Sequence, residues 1–203
     1  GDFVMIFQDN VIKEYLKNVY FITGTIYSCM MLMSSLKTSK ISNAAFQPAM
    51  NQAFQDADEF FGRTAEEYKK WLLDNTREQL DFVLLDLIRL SQNQKVLCDC
   101  HLTMEEAEKF TEVSKIVFLI KEPSNLVDDY CNRPDHQGFS DFINSVSDIE
   151  KAKAVCNATL KSLNEKKYKE IKESDYYWIE RTWKSTVDET VGNVERHFGL
   201  VIK

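Results

Sequence analysis

The sequence predicts an α/β protein in which helices cover both faces of a parallel sheet. Three observations predict it. Four short runs, 19–23 (VYFIT), 95–99 (KVLCD), 115–120 (KIVFLI) and 176–180 (YYWIE), are apolar and β-rich, the pattern of strands buried on both faces rather than half-solvated ones. Helical patterns separate all four, and strands that alternate with helices form right-handed crossovers and a parallel sheet. At 203 residues the chain suits one well-packed domain, with or without an inserted lid, and is short for two independent ones.

Residues 2–16 precede the first sheet strand as FVMIF followed by a short amphipathic stretch, read as an added strand and helix in an N-terminal extension. The first strand closes on Gly24, and 37–54 carries only a weak strand candidate at 41–46. Four helix starts carry the [ST]-x-x-E capping box: Thr64 with Glu67, Thr103 with Glu106, Ser147 with Glu150 and Thr186 with Glu189. The helix opening at Ala65 continues through Trp71, Leu72, Leu80, Val83, Leu84, Leu87 and Ile88, long enough that a kink or break is expected near Asp74 and Asn75. The last helix ends at His197-Phe198, with Gly199 as a left-handed cap and His197 favoured by the helix dipole. No internal repeat or low-complexity segment interrupts this order.

Apolar residues make up 44% of the chain and aromatics 12%, ordinary for a globular protein, and no run approaches the roughly 20 apolar residues that span a bilayer. The first residues lack a basic stretch followed by an apolar core, so no secretory leader is read and a cytoplasmic location is expected. Five scattered cysteines, an odd number, fit reduced thiols better than a disulfide framework. A net charge of -7 gives no electrostatic footprint for a nucleic-acid backbone, so neither polymeric nucleic acid nor a membrane is expected as a partner.

The segment 19–32 (VYFITGTIYSCMML) sits where a strand turns into a helix, the context of a phosphate-binding loop. Set against G-x-x-x-x-G-K-[ST], Gly24 matches, whereas Cys29 stands at the second glycine, Met30 at the lysine and Met31 at the hydroxyl residue. A thioether supplies neither charge to a phosphate nor a ligand to Mg²⁺. Loss of one charge-assisted contact costs about 1.5–3 kcal/mol, roughly ten- to hundredfold in affinity. Cys29 also adds a Cβ where backbone normally approaches phosphate. Backbone amides of the turn still suit an anion, which leaves Gly24, Thr25, Ser28, Cys29, Met30 and Met31 as the candidate cofactor-binding loop. Met30, Met31, Leu32, Met33 and Leu36 equally fit the buried side of a helix behind the strand. A third reading keeps an active loop, with Lys37 or Lys40 reaching the phosphates in place of Met30.

The segments KNVYFITGT, RTAEEYKKWLLDNTREQ, KVLCDCHLT, FLIKEPSNLVDDYCNRPDHQGFSDFI and TVDETVGNVERHFGL together resemble bacterial P-loop kinase-like proteins, relatives of shikimate and nucleoside-monophosphate kinases, over about residues 17–200. The resemblance implies a three-layer P-loop NTPase-like fold in one domain spanning 1–203, with a small helical lid at about 124–147, and ATP with Mg²⁺ as cofactors. It implies that Asp99, ending the second clear strand, orders Mg²⁺ through water, and that Arg77 holds an acceptor's anionic group. Arg133, in Asn132-Arg133-Pro134-Asp135-His136, corresponds to a lid arginine over the transferring phosphate. Arg181 lies where relatives approach the nucleotide base, with Trp183 positioned to stack there. The acidic residue expected after the second family strand is missing from 41–46, and Asp56 or Asp58 is a strained substitute, so the acceptor is unspecified. The reading is a P-loop kinase-like protein with weakened nucleotide binding and doubtful catalysis. The alternative is a non-catalytic binding or interaction module that keeps the fold. A small-molecule or nucleotide ligand is the expected partner, and oligomeric state stays open.

Cys98-Asp99-Cys100-His101 carries zinc-type ligands at poor spacing, without a second Cys/His pair, and no metal site is assigned. On a strand the two cysteines share one face and Asp99 takes the other. Three histidines and scattered thiols fix no nucleophile–base pair. The run 161–172 (KSLNEKKYKEIK) reads as a solvated helix laced by i,i+4 pairs.

Overall fold

A computed structural model describes residues 9–25, 57–123, 137–182 and 184–200. The expectations for the strands in 2–8 and 41–46, for Lys37 and Lys40, for most of the lid and for Trp183 lie outside the described residues. The elements run α1 (Asp9–Tyr15), β1 (Val19–Gly24), α2 (Ala57–Phe61), α3 (Ala65–Leu90), β2 (Val96–Asp99), α4 (Met104–Phe110), a 3-10 turn (Val113–Lys115), β3 (Ile116–Ile120), α5 (Gln137–Asn144), α6 (Ile149–Lys172), β4 (Trp178–Glu180) and α7 (Val187–Phe198).

The four strands form one parallel sheet in the order β2-β1-β3-β4. Val19 pairs with Val96, Phe21 with Ile116 and Phe118 with Trp178, so β1 and β3 are the central pair. Three of the strands start later than the apolar runs that predict them. Lys115 is spent on the 3-10 turn, while Tyr176 is buried and Tyr177 accepts a bond from the Phe118 amide at 3.0 Å just before β4 begins.

Alternation along the strands divides the core in two. Val19, Phe21, Val96, Cys98, Ile116, Phe118 and Ile120 face α1, α4 and the C-terminal halves of α3 and α6. Ile22, Leu97, Val117 and Leu119 face the other way, against Val194 and Phe198 of α7. Both faces are therefore covered, which is why the strands read as unbroken apolar runs. A third cluster lies apart from the sheet. Phe60 and Phe61 of α2, Tyr68 of α3, Ile143 of α5 and Ala152, Cys156 and Leu160 of α6 make a helical satellite core. Phe60 is its hub, meeting Phe61, Tyr68 and Trp71 edge-on at ring separations of 4.8, 5.3 and 4.8 Å.

Helices α3 and α6 tie the satellite to the sheet. They run side by side in the same direction, with Thr159 Oγ1 donating to the Ala65 carbonyl and Lys69 Nζ to Ser162 Oγ, both at 3.0 Å. Three predicted capping boxes are present in full, at Thr64, Thr103 and Thr186, and Gly199 takes the left-handed cap at φ 61°. The box at Ser147 is not. Asp148 caps α6 instead, accepting the Lys151 amide at 3.0 Å, because the Ser147 amide and hydroxyl both donate to Asp58 Oδ1 of α2. The break expected near Asp74 is also absent. Helix α3 continues through it, since Thr76 Oγ1 donates to the Leu72 carbonyl at 2.7 Å, Gln79 reaches Asn75 at 3.1 Å and Lys70 pairs with Asp74. Among the described residues, no helix is long and apolar enough to cross a membrane.

Candidate functional site

The carboxyl edge of the sheet is assembled by the last residues of β1. Gly24 has φ 151°, and a Cβ there would stand 1.7 Å from the carbonyl oxygen of Leu119 on β3. Only glycine lets the two strands run this close at their ends. The Thr25 amide then donates to the same Leu119 carbonyl at 3.0 Å. The threonines on either side of Gly24 hold the neighbouring loops. Thr23 Oγ1 accepts the Leu102 amide at 3.0 Å beyond β2, and Thr25 Oγ1 accepts the Lys121 amide at 3.2 Å beyond β3. Two further bonds align the edge, Cys100 N–H to the Ile22 carbonyl at 3.2 Å and Arg181 N–H to the Ile120 carbonyl at 2.7 Å.

The chain passes from β1 to β2 on one side and then to β3 on the other, so the order reverses at the β1/β3 boundary. In open parallel sheets the crevice at such a reversal, outside the carboxyl ends, is where ligands bind. Gly24 and Thr25 leave β1 at that point.

Asp99 lies opposite Ile22 on the adjoining strand, two residues before Gly24. Cys98 and Cys100 both belong to the α1/α4 face and Leu97 to the α7 face, so Asp99 shares the side of Leu97, as alternation predicts. The Cys100 thiol is pushed well up, first by its hydrogen bond with Cys98 and then by burial, so it stays protonated at neutral pH. His101 is exposed at this edge.

Two long helices bring basic residues to the same level. On α3, Trp71 packs in the satellite core and Leu80 in the sheet core, so Arg77 sits where the helix passes the carboxyl edge. Its charge helps to lower the Glu105 carboxyl in the first turn of α4, after the larger effect of Lys109. On α6 the passage falls between Leu160 and Ile171, at Asn164 and Lys167. The end of α6 is pinned to β4 by Glu180, which accepts from Tyr168 at 2.6 Å and Lys172 at 2.7 Å, while Lys172 lies over the Trp178 ring at 4.1 Å.

Of the residues singled out in the sequence, Gly24, Thr25, Asp99 and Arg181 meet at this edge, with Arg77 at its level on α3. Ser28, Cys29, Met30, Met31 and Arg133 lie outside the described residues. Asp58 is a tie between α2 and the turn before α6. Lys167 of α6 lies three residues after the buried Asn164 and four before the buried Ile171. Comparison with known protein families, with curated proteins and with solved structures finds no match to this chain.

Proposed function

We propose that the carboxyl edge takes a phosphate-bearing small molecule, a nucleotide such as ATP, in a P-loop kinase-like protein whose binding is weak and whose transfer step is impaired. The observation that carries this reading is the Gly24-Thr25 turn leaving β1 at the reversal of strand order, with Asp99 beside it on β2. A phosphate loop occupies that position in a parallel sheet, and an acid on the neighbouring strand is the residue that orders Mg²⁺ through water. Asp99 and the turn fit ATP with Mg²⁺; Met30 and Met31 do not, because neither supplies the charge or the hydroxyl that transfer requires. Asp99 is accordingly the candidate metal-ordering acid, Arg77 and Arg133 the candidate anion-holding groups, and Arg181 a neighbour of the base.

Calorimetric titration with ATP, with and without Mg²⁺, tests the proposal. Weak binding strengthened by Mg²⁺ is expected, with phosphoryl transfer to water or small acceptors near background. No heat at millimolar ATP under either condition would overturn it, and a non-catalytic interaction module that retains the fold then becomes the better account.

A further inference from the structure

We infer that a cavity at the amino edge of the sheet binds a small zwitterion of the α-amino acid class. The cavity lies at the opposite ends of the strands from Gly24 and Asp99, roughly 15 Å away along β1. It is therefore independent of the nucleotide reading.

Two turns of the chain form the cavity. Helix α1 ends at Tyr15 and leads through Leu16 and Lys17 into β1, while α4 ends at Phe110 and leads through Thr111 and Glu112 into the 3-10 turn before β3. Ile12 and Leu16 share one buried cluster with Ala107 and Phe110, so the two turns lie side by side. Between them opens a volume of about 400 Å³, within the range of small-molecule sites. Its wall carries both signs of charge. Lys13, Lys17 and Lys115 line it together with Glu14 and Glu112, and the buried Leu16 adds an apolar surface. Lys17 meets Glu14 at 2.6 Å, whereas Lys13 and Glu112 stand 3.9 Å apart, beyond hydrogen-bond length. Lys115 Nζ donates to the Lys17 carbonyl. Exposed pairs of this kind hold each other weakly, and an ammonium with three donors or a carboxylate with two oxygens keeps capacity for a further partner. A simple anion here meets two carboxylates, and a simple cation meets three ammonium groups. A molecule that carries a carboxylate and an ammonium close together suits both.

The observation that points to a ligand is Thr111. It lines the cavity at 5% exposure, and its Oγ1 is buried with no hydrogen-bond partner among the described residues. Leaving a buried hydroxyl unpaired costs stability that a methyl of the same shape would not. The backbone around it is satisfied: the Thr111 amide donates to the Ala107 carbonyl at 3.2 Å, and the Lys115 amide donates to the Glu112 carbonyl at 2.9 Å. The orphan is the side chain alone. In the inferred complex the Thr111 hydroxyl and the Lys115 ammonium donate to the ligand's carboxylate, and Glu112 accepts from its ammonium. All three groups belong to one short turn fixed between α4 and β3, so little ordering is left for binding to impose.

NMR of the isotope-labelled protein tests this by following the backbone amides of 13–17 and 111–115. The probes are L-alanine, propanoate and ethylammonium, which each keep one of its two charges, and inorganic phosphate. Millimolar L-alanine is expected to shift the amides of both turns, and each of the other probes to bind roughly tenfold more weakly or worse. Lys115→Met and Glu112→Gln should each weaken L-alanine by roughly tenfold. Thr111→Val keeps the shape of the side chain and removes the hydroxyl, so it should weaken L-alanine several-fold while leaving the thermal stability of the free protein unchanged or raised. Propanoate or phosphate bound as tightly as L-alanine would overturn the zwitterion. Amides that stay in place with every probe would overturn the site. A Thr111→Val variant that gains stability and binds L-alanine as wild type does would make the hydroxyl an ordinary buried orphan and refute its role.

Discussion

Gly24→Ala is the most direct test of how the carboxyl edge is built. An ideal Cβ at this position would lie 1.7 Å from the Leu119 carbonyl oxygen, 2.6 Å from its carbon and 2.8 Å from the Leu119 nitrogen. All three are backbone atoms of a fully buried central strand, so no side chain can turn aside to admit the methyl. The backbone at φ 151° adds strain of about 1–3 kcal/mol for any L-residue. Moving the strands apart also breaks the Thr25 amide bond to the same Leu119 oxygen, and leaving buried backbone groups unpaired costs about 1–3 kcal/mol more. The sum is about 2–6 kcal/mol, equivalent to a fall in Tm of roughly 5–20 °C for a chain of this size.

Two other glycines serve as controls. Gly192 lies within α7 and a Cβ there meets nothing within 4 Å, so Gly192→Ala should stabilise the chain by up to about 1 kcal/mol through helix propensity alone. Gly199 also has open space but sits at φ 61°, so Gly199→Ala should cost about 1–2 kcal/mol from conformation without a clash. Urea unfolding followed by far-UV circular dichroism gives all three values. A Gly24→Ala variant no less stable than Gly199→Ala would refute the close approach of β1 and β3 at this edge, and with it the position of the crevice.

Two further predictions concern how the helices are held. Asp148→Ala should cost about 1 kcal/mol, because its carboxylate takes the Lys151 amide at the start of α6; equal stability in urea would return the cap to Ser147. Glu180→Gln should cost about 1 kcal/mol at neutral pH, a figure reduced for the partial exposure of the pair with Lys172. The Glu180 carboxyl is held below its ordinary 4.5, first by the Lys172 hydrogen bond and then by that of Tyr168. Its contribution is therefore complete above pH 4.5 and is lost as pH falls through the lower folded value. The gap between wild type and Glu180→Gln should close in acid, and a gap that persists or widens there would reject the ion pair as its source.

What the sequence made legible was local. The strands could be read because both of their faces are buried, which removes polar residues from 116–120 and nearly all of 19–24. Capping boxes were readable at Thr64, Thr103 and Thr186 because both partners lie within one turn. The same pattern misled at Ser147, whose hydroxyl is claimed by Asp58, 89 residues away in sequence. Asp74 and Asn75 look like helix breakers in isolation, yet Lys70 and Gln79 satisfy them from the neighbouring turns. The site was harder to read for a related reason. Thr23, Thr25 and Asp99 come from the ends of two strands, β1 and β2, that are far apart in sequence, and only the pairing of those strands brings them to one edge. Lys167 shows a similar limit, because composition places it in a solvated run while helical phase places it between the buried Asn164 and Ile171.

The two edges of the sheet differ in what they would offer the anion of the proposed reading. A cavity of about 400 Å³ opens at the amino edge, lined in part by Lys13, Lys17 and Lys115. Those ammonium groups already have partners: Lys17 meets Glu14 at 2.6 Å, Lys13 meets Glu112 at 3.9 Å, and Lys115 donates to the Lys17 carbonyl. At the carboxyl edge the helices that follow β2 and β4 begin, which would ordinarily offer free amides to a phosphate. Here the capping boxes of Thr103 with Glu106 and Thr186 with Glu189 fill those first turns and set a carboxylate at each. On the proposed nucleotide reading, an anion at this edge would draw on side-chain cations such as Arg77 rather than on these capped helix starts. Binding that rests on side-chain charge falls as salt rises, so ATP affinity should drop steeply between low and physiological ionic strength. Affinity insensitive to salt would refute a contact built on side-chain charge.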